Sequence, residues 1–316
     1  MDKCAHPLVD TQTTLPSCEF EDFPIIDKCG SRADVLYGLL RFIEPRREVA
    51  VKAFRCGLKS VSTLAVENEI RIWRLLGFHP HIASFLAIAP VNVYDEKYSA
   101  KGVVSEYCAQ GNAWVYLNKS DPDVTNHSLR FQLLKDVIRG LTHIHAQSIV
   151  HGDLKAFNVL IDGNDNTQVA RICDFGSSSI SCACYSGPQE QEGTLPWDSP
   201  ELWVPGEDDD DDDRVPSRTE RSDIWAFGCV ALEIQMGLTP WDPFDMRNAE
   251  AMKRRQFNAG TGPPAMFSDP NLGLEAHQVK LQVWNLMVKC WGASPQQRPT
   301  AAELLKEMLG MNLIAT

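Results

Sequence analysis

The sequence predicts an α+β protein of two lobes, a small strand-rich lobe with one key helix followed by a larger, mainly helical lobe. Three observations carry this. At 316 residues the chain is about twice a usual domain. Up to Val104 its apolar residues fall in short, β-leaning segments; after "CAQGN" (108–112) they recur at helical spacing. Hydrophobic content of 44% supplies a sizeable core.

Residues 1–22 are polar and without period, which predicts a loose tail. The small lobe takes 23–104. In it "REVAVKAF" (47–54) alternates apolar and polar as a strand does, and "KGVVSEY" (101–107) is a second strand candidate. Between them "TLAVENEIRIWRLL" (63–76) has Leu64, Ile70, Trp73 and Leu76 near helical spacing. A hinge is expected at 105–111, and the large lobe at 112–311. "SLRFQLLKDVIRGLTHIHAQ" (128–147) puts Leu133, Val137, Leu141 and Ile144 on one stripe. "SDIWAFGCVALEIQMG" (222–237) is apolar nearly all round, as a buried helix is, with Ser222 as N-cap and Gly237 as stop. "QVKLQVWNLMVKCW" (278–291) and "TAAELLKEMLG" (300–310) read as further helices, and 312–316 as a short tail. The insertion 205–217 holds Glu207 and six consecutive Asp between prolines, a block that repels itself and stays solvated. Its sharper reading is a tether for a basic partner.

A net charge of -12 argues against nucleic acid and anionic membrane as partners, since both want a basic face. No apolar run is long enough to span a bilayer. No secretory segment opens the chain, and Asp2 stands where N-myristoylation needs Gly. The ten irregularly spaced cysteines are therefore expected as free thiols in a reducing compartment, the cytoplasm, with the nucleus also open. Cys182 and Cys184 have no second pair at zinc-ligand spacing. The expected state is a monomer.

Phosphoryl transfer needs phosphates held, a cation placed, and the acceptor hydroxyl aligned and relieved of its proton. Each task has a candidate. Lys52, inside an apolar strand, requires a paired charge, and Glu69 on the following helix is suited to it. In "HGDLKAFN" (151–158), Asp153 can take a proton, Lys155 can reach a γ-phosphate and Asn158 can offer an amide oxygen to Mg2+ or Mn2+. In "RICDFG" (171–176), Asp174 is a second hard oxygen ligand. One Asp-x-Gly turn is weak evidence; the two motifs together, 174 − 153 = 21 residues apart, are specific.

With these motifs the chain resembles the eukaryotic protein kinase family over about 23–311. The resemblance implies a bilobal protein kinase fold, with ATP as phosphoryl donor and a protein substrate as acceptor. "GTLPWDSPE" (193–201) resembles the end of an activation segment, with Ser199-Pro200-Glu201 for Ala-Pro-Glu and Arg298 of "PQQRPT" (295–300) as the partner of Glu201. "SDIWAFG" resembles the buried helix whose Asp, here Asp223, anchors the catalytic loop, and "FHPHI" (78–82) the link after the Lys-pairing helix. "VSEYCAQGN" (104–112) resembles tyrosine-kinase-like members, with Ser105 as gatekeeper and backbone groups of Glu106 and Cys108 facing adenine. Val35, Ala50 and Leu160 would sandwich the adenine, Cys173 would border the pocket, and Trp73, His151 and Phe175 would form the hydrophobic spine. Lys155 and Thr194 resemble serine/threonine rather than tyrosine kinases, with dual specificity left open. Phe157 stands where some basophilic members carry Glu. His79, His81, His143 and His145 read as structural.

Two departures stand out. The glycine positions of the phosphate loop read Lys28, Gly30 and Ala33, so only Gly30 keeps the close approach of backbone to phosphate. Gly152 replaces the Arg that in many members binds a phosphorylated activation segment, which implies activity independent of that phosphorylation. Two other readings remain, a scaffold that binds without catalysis and a small-molecule phosphotransferase; the docking motifs at 193–201 argue against the second.

Overall fold

Five strands open the chain: β1 (Ile25–Cys29), β2 (Ala33–Leu40), β3 (Arg47–Phe54), β4 (Phe85–Asn92) and β5 (Ser99–Glu106). They pair antiparallel in the order β1-β2-β3-β5-β4. The computed structural model describes residues 25–29, 33–40, 47–54, 63–92, 99–164, 167–181, 193–202, 217–241 and 274–311. The tail at 1–22, Gly30, Cys182 and Cys184, the acidic run at 207–213 and residues 312–316 lie outside these.

The alternation read in "REVAVKAF" sorts β3 as predicted. Val49, Val51 and Ala53 are buried with Leu36, Ala87, Ala89 and Val104 in one apolar cluster. Ala50 and Lys52, out of phase with them, point to the other face. Register puts Val35 opposite Lys52 and Ser105 opposite Ala50. Opposed residues share a face, so all four line the same side of the sheet.

Helix α1 (Thr63–Leu76) lies between β3 and β4 in sequence and buries Val66, Glu69, Ile70, Ile72, Trp73 and Leu76. The predicted stripe was displaced at its start: Leu64 is 64% exposed. Two residues along a helix turn about 200°, so Leu64 and buried Val66 cannot share a face. The link after α1 is fastened to the larger lobe. Ala83 N–H donates to Ile172 O (2.9 Å) and Ile172 N–H to His81 O (3.0 Å). His79 stacks on His143 (4.5 Å). Burial, then the neighbouring rings of His143 and His81, push His79 down to about 4, so it is neutral at pH 7 and structural, as expected.

The larger lobe holds α2 (Ala113–Ser120), α3 (His127–Ala146), α4 (Glu220–Met236), α5 (Leu274–Cys290) and α6 (Ala301–Gly310). Leu133, Val137, Leu141 and Ile144 of α3 are fully buried, as their spacing predicted. In α4 every residue from Ser222 to Gln235 is buried. It starts before the expected Ser222: Thr219 is the N-cap, and Ser222 sits three residues on as the reciprocal half of a capping box. Gly237 stops it in a left-handed conformation, φ +66°. Among the described residues no helix is long and apolar enough to cross a membrane.

Two short strand pairs were not read as pairs in the sequence. β6 (Ile149–Val150) pairs with β9 (Ser179–Ile180), and β7 (Val159–Asp162) with β8 (Val169–Ile172). They carry the two motifs: "HGDLKAFN" joins β6 to β7, and "CDFG" follows β8 on the way to β9.

Candidate active site

Lys52 Nζ donates to Glu69 Oε1 at 2.7 Å and to Asp174 Oδ1 at 2.6 Å. Strand, helix and the "DFG" turn thus meet at one ammonium. Burial opposes its charge, but Asp174 and Glu69 outweigh burial and hold Lys52 above the usual lysine range. Burial likewise opposes ionisation of Asp174, and Lys52 overrides it, holding the carboxyl down at about 2. Asp174 has φ +63°, a strained conformation for a residue with a side chain.

The loop "HGDLKAFN" hangs from Asp223 on α4. Its Oδ2 accepts from His151 N–H (2.8 Å) and its Oδ1 from Gly152 N–H (2.9 Å). His145 Nε2 lies 2.9 Å from Oδ2. Burial works against the charge, yet the contacts from His145 and the loop amides hold Asp223 below the usual carboxylate range. The loop is thereby fixed at its first two residues.

Beyond them, Asp153, Lys155 and Thr194 form a closed set. Lys155 Nζ donates to Asp153 Oδ2 (2.7 Å) and to Thr194 Oγ1 (2.6 Å), and the Thr194 hydroxyl donates to Asp153 Oδ1 (2.6 Å). Asn158 Nδ2 donates to the Asp153 carbonyl (2.7 Å) and Oδ2 (3.1 Å). Its nitrogen is engaged, so the amide oxygen is the atom left for a cation. Three rings pack behind the loop, Trp73 tilted on Phe175 at 5.6 Å and His151 edge-on to Phe175 at 5.5 Å, the spine that the resemblance implied.

Residues 32–309 match the family described as the protein kinase domain. The chain belongs to the protein kinase family. A serine/threonine/tyrosine-protein kinase of Arabidopsis thaliana is 29% identical to the domain over 84% of this chain and 61% of that protein. Mitogen-activated protein kinase kinase kinase A of Dictyostelium discoideum is 29% identical over 79% of this chain and 23% of that protein. A tyrosine-protein kinase of Drosophila melanogaster is 25% identical over 86% of this chain and 43% of that protein. The chain thus spans about three fifths or less of the length of these relatives.

In the kinase domain, the adenine candidates Val35, Ala50 and Ser105 lie on the Lys52 face of the sheet. Leu160 comes from β7, which bridges to Asn112 just past the hinge. Glu106 has its side chain engaged by Arg47 and, at 3.7 Å, by Arg171, and its carbonyl lies 3.5 Å from the Ser105 hydroxyl. The Cys108 carbonyl already accepts from Gly111 N–H (3.0 Å) in the hinge turn. Cys173 is half-buried, and its carbonyl lies 3.1 Å from His151 Nε2. Glu201 takes both forks of the fully buried Arg298 at 2.7 Å, as expected.

The kinase domain also contains groups the sequence reading missed. Glu233 Oε2 accepts from Ala156 N–H and Trp197 Nε1–H, both at 2.9 Å, and ties α4 to the catalytic loop and the activation segment. Its signal was available: an acid inside a nearly all-apolar helix must have partners. Arg218 and Asp198 form a second unread pair, at 2.5 and 2.9 Å.

Proposed function

We propose that this chain transfers the γ-phosphoryl group of ATP to serine and threonine hydroxyls of protein substrates. The observation that carries the reading is the closed set of hydrogen bonds among Thr194, Asp153 and Lys155. It sets the carboxylate of Asp153 beside a hydroxyl and a cation, the arrangement an incoming alcohol needs to lose its proton.

In this mechanism Asp153 receives the proton of the acceptor hydroxyl. Lys155 balances charge on the oxygens nearest Asp153. Lys52, fixed by Glu69, faces the α and β phosphates. Val35, Ala50, Ser105, Leu160 and Cys173, with the backbones of Glu106, Cys108 and Gly30, receive the nucleotide. Asn158, through its amide oxygen, and Asp174 form a hard oxygen donor set that fits Mg2+ or Mn2+. A divalent cation bound there would neutralise phosphate charge during transfer. Phosphorylation of the activation segment is not required, since Gly152 offers no side chain to receive it. The eroded loop slows nucleotide use without abolishing it; Ala33, at its third glycine position, is buried in β2.

The test is incubation of the purified chain with labelled ATP, magnesium and a mixed protein substrate, beside Asp153→Asn. Label on Ser and Thr that Asp153→Asn removes is the expected result. Label on Tyr alone overturns the acceptor assignment. No transfer at all favours a binding scaffold.

A further inference from the structure

Gly152 is more than a missing arginine. It has φ +82°, and a methyl group added there would run into the Ser177 carbonyl and lie 3.3 Å from Arg218 Cδ. The space beside the loop is therefore filled, and an arginine from elsewhere helps to fill it. Arg218 directly precedes Thr219, the N-cap of α4. Its side chain passes Gly152, and its guanidinium lies flat on Gly193, where any side chain would collide with it. From there both forks reach Asp198, at 2.5 and 2.9 Å. The pair is nearly buried, with side-chain exposures of 9% and 11%.

Gly193 and Asp198 bracket Thr194 and the 3-10 turn Leu195–Trp197. One side chain thus grips both ends of the stretch that delivers Thr194 to Asp153. We propose that Arg218 and Asp198 form a constitutive clamp on the activation segment, made of two side chains of the chain itself and needing no added phosphate. Arg218 is a positioning residue: it acts on Thr194 through Gly193 and Asp198 and touches no reacting atom. A bidentate guanidinium–carboxylate fork fixes orientation as well as distance. This inference rests on the proposed independence from phosphorylation.

The experiment compares the full chain with Arg218→Gln, Asp198→Asn and the double variant, using dephosphorylated casein as acceptor. Each single change should lower kcat/KM for casein by about 10-fold or more, while KM for ATP stays within about twofold. The double variant should be no worse than the weaker single, because the two act as one unit. Singles within twofold of the parent, or losses that add, overturn the clamp. Should a single variant fail to fold, the double variant, which buries no lone charge, decides: a parental rate overturns the clamp, and a loss of about 10-fold or more with an unchanged ATP KM supports it. A phosphatase-treated parent separates the two proposals. If its rate collapses, the independence from phosphorylation is wrong, whatever the variants do. If its rate holds and Arg218→Gln is unaffected, the clamp alone is wrong.

Discussion

Replacing Asp223 with Asn removes one oxygen from the anchor of the catalytic loop and puts an NH2 in its place. Two loop amides and His145 converge on that carboxylate, which is 2% exposed. An amide oxygen can keep one side of the arrangement. If it stays with His151 and His145, the new NH2 points at the Gly152 N–H, donor against donor. The variant then loses one hydrogen bond to a charged acceptor, about 1.5–3 kcal/mol, and leaves a buried donor unmade, about 1–3 kcal/mol. Their sum, about 2.5–6 kcal/mol, is a large part of the roughly 5–15 kcal/mol that holds a domain folded. Urea unfolding followed by tryptophan fluorescence should show that drop with an unchanged slope. The sign with pH is fixed as well. The Asp223 carboxyl is depressed on folding, so its stabilisation is present above the ordinary carboxylate range and fades as pH falls below it. The gap between parent and variant should narrow in acid. A loss below about 1 kcal/mol, or a gap that widens in acid, refutes the reasoning.

Glu233 behaves in the opposite sense. Burial raises it to about 7, against the pull of Trp197 and Ala156, so its favourable contribution holds at low pH and is lost as pH rises through about 7. Between pH 5 and pH 8 the parent should lose up to about 3 kcal/mol in urea unfolding relative to Glu233→Gln. Gly152→Ala combines a left-handed conformation with the Ser177 carbonyl, and should cost about 2–4 kcal/mol in the same assay rather than raise activity. Thr194→Val keeps the shape and deletes the contacts to Asp153 and Lys155. It should lower kcat/KM for casein about 10–100-fold with little change in KM for ATP.

The most legible parts of the fold were those with a period. β3 ends where its alternation ends, and α1 spans the residues its pattern delimited. The two-residue strands β6 and β9 have no room for a period, so their pairing was invisible although the motifs between them were plain. Lys52 and Glu69, 17 residues apart, were paired because an ammonium in an apolar strand needs a carboxylate; the contact of Lys52 with Asp174, 122 residues away, went unread, and the fold supplies it. Gly152 was read as a loss because sequence names the absent side chain and not the backbone angle. Arg218 and Asp198 stand 20 residues apart with the acidic run between them, and no periodicity connects them.

The fastening of residues 81–83 to Ile172 lies just past the C-terminal end of α1. That end is the fulcrum, and Glu69, seven residues away at 1.5 Å per residue, rides a lever arm of about 10 Å. A tilt of only about 10° carries the carboxylate nearly 2 Å, enough to part it from Lys52. Whatever presses on the N-terminal end of α1 therefore has nearly twice the leverage of anything acting at Glu69 itself. The helix reports small forces at its far end as a make-or-break change at the ammonium.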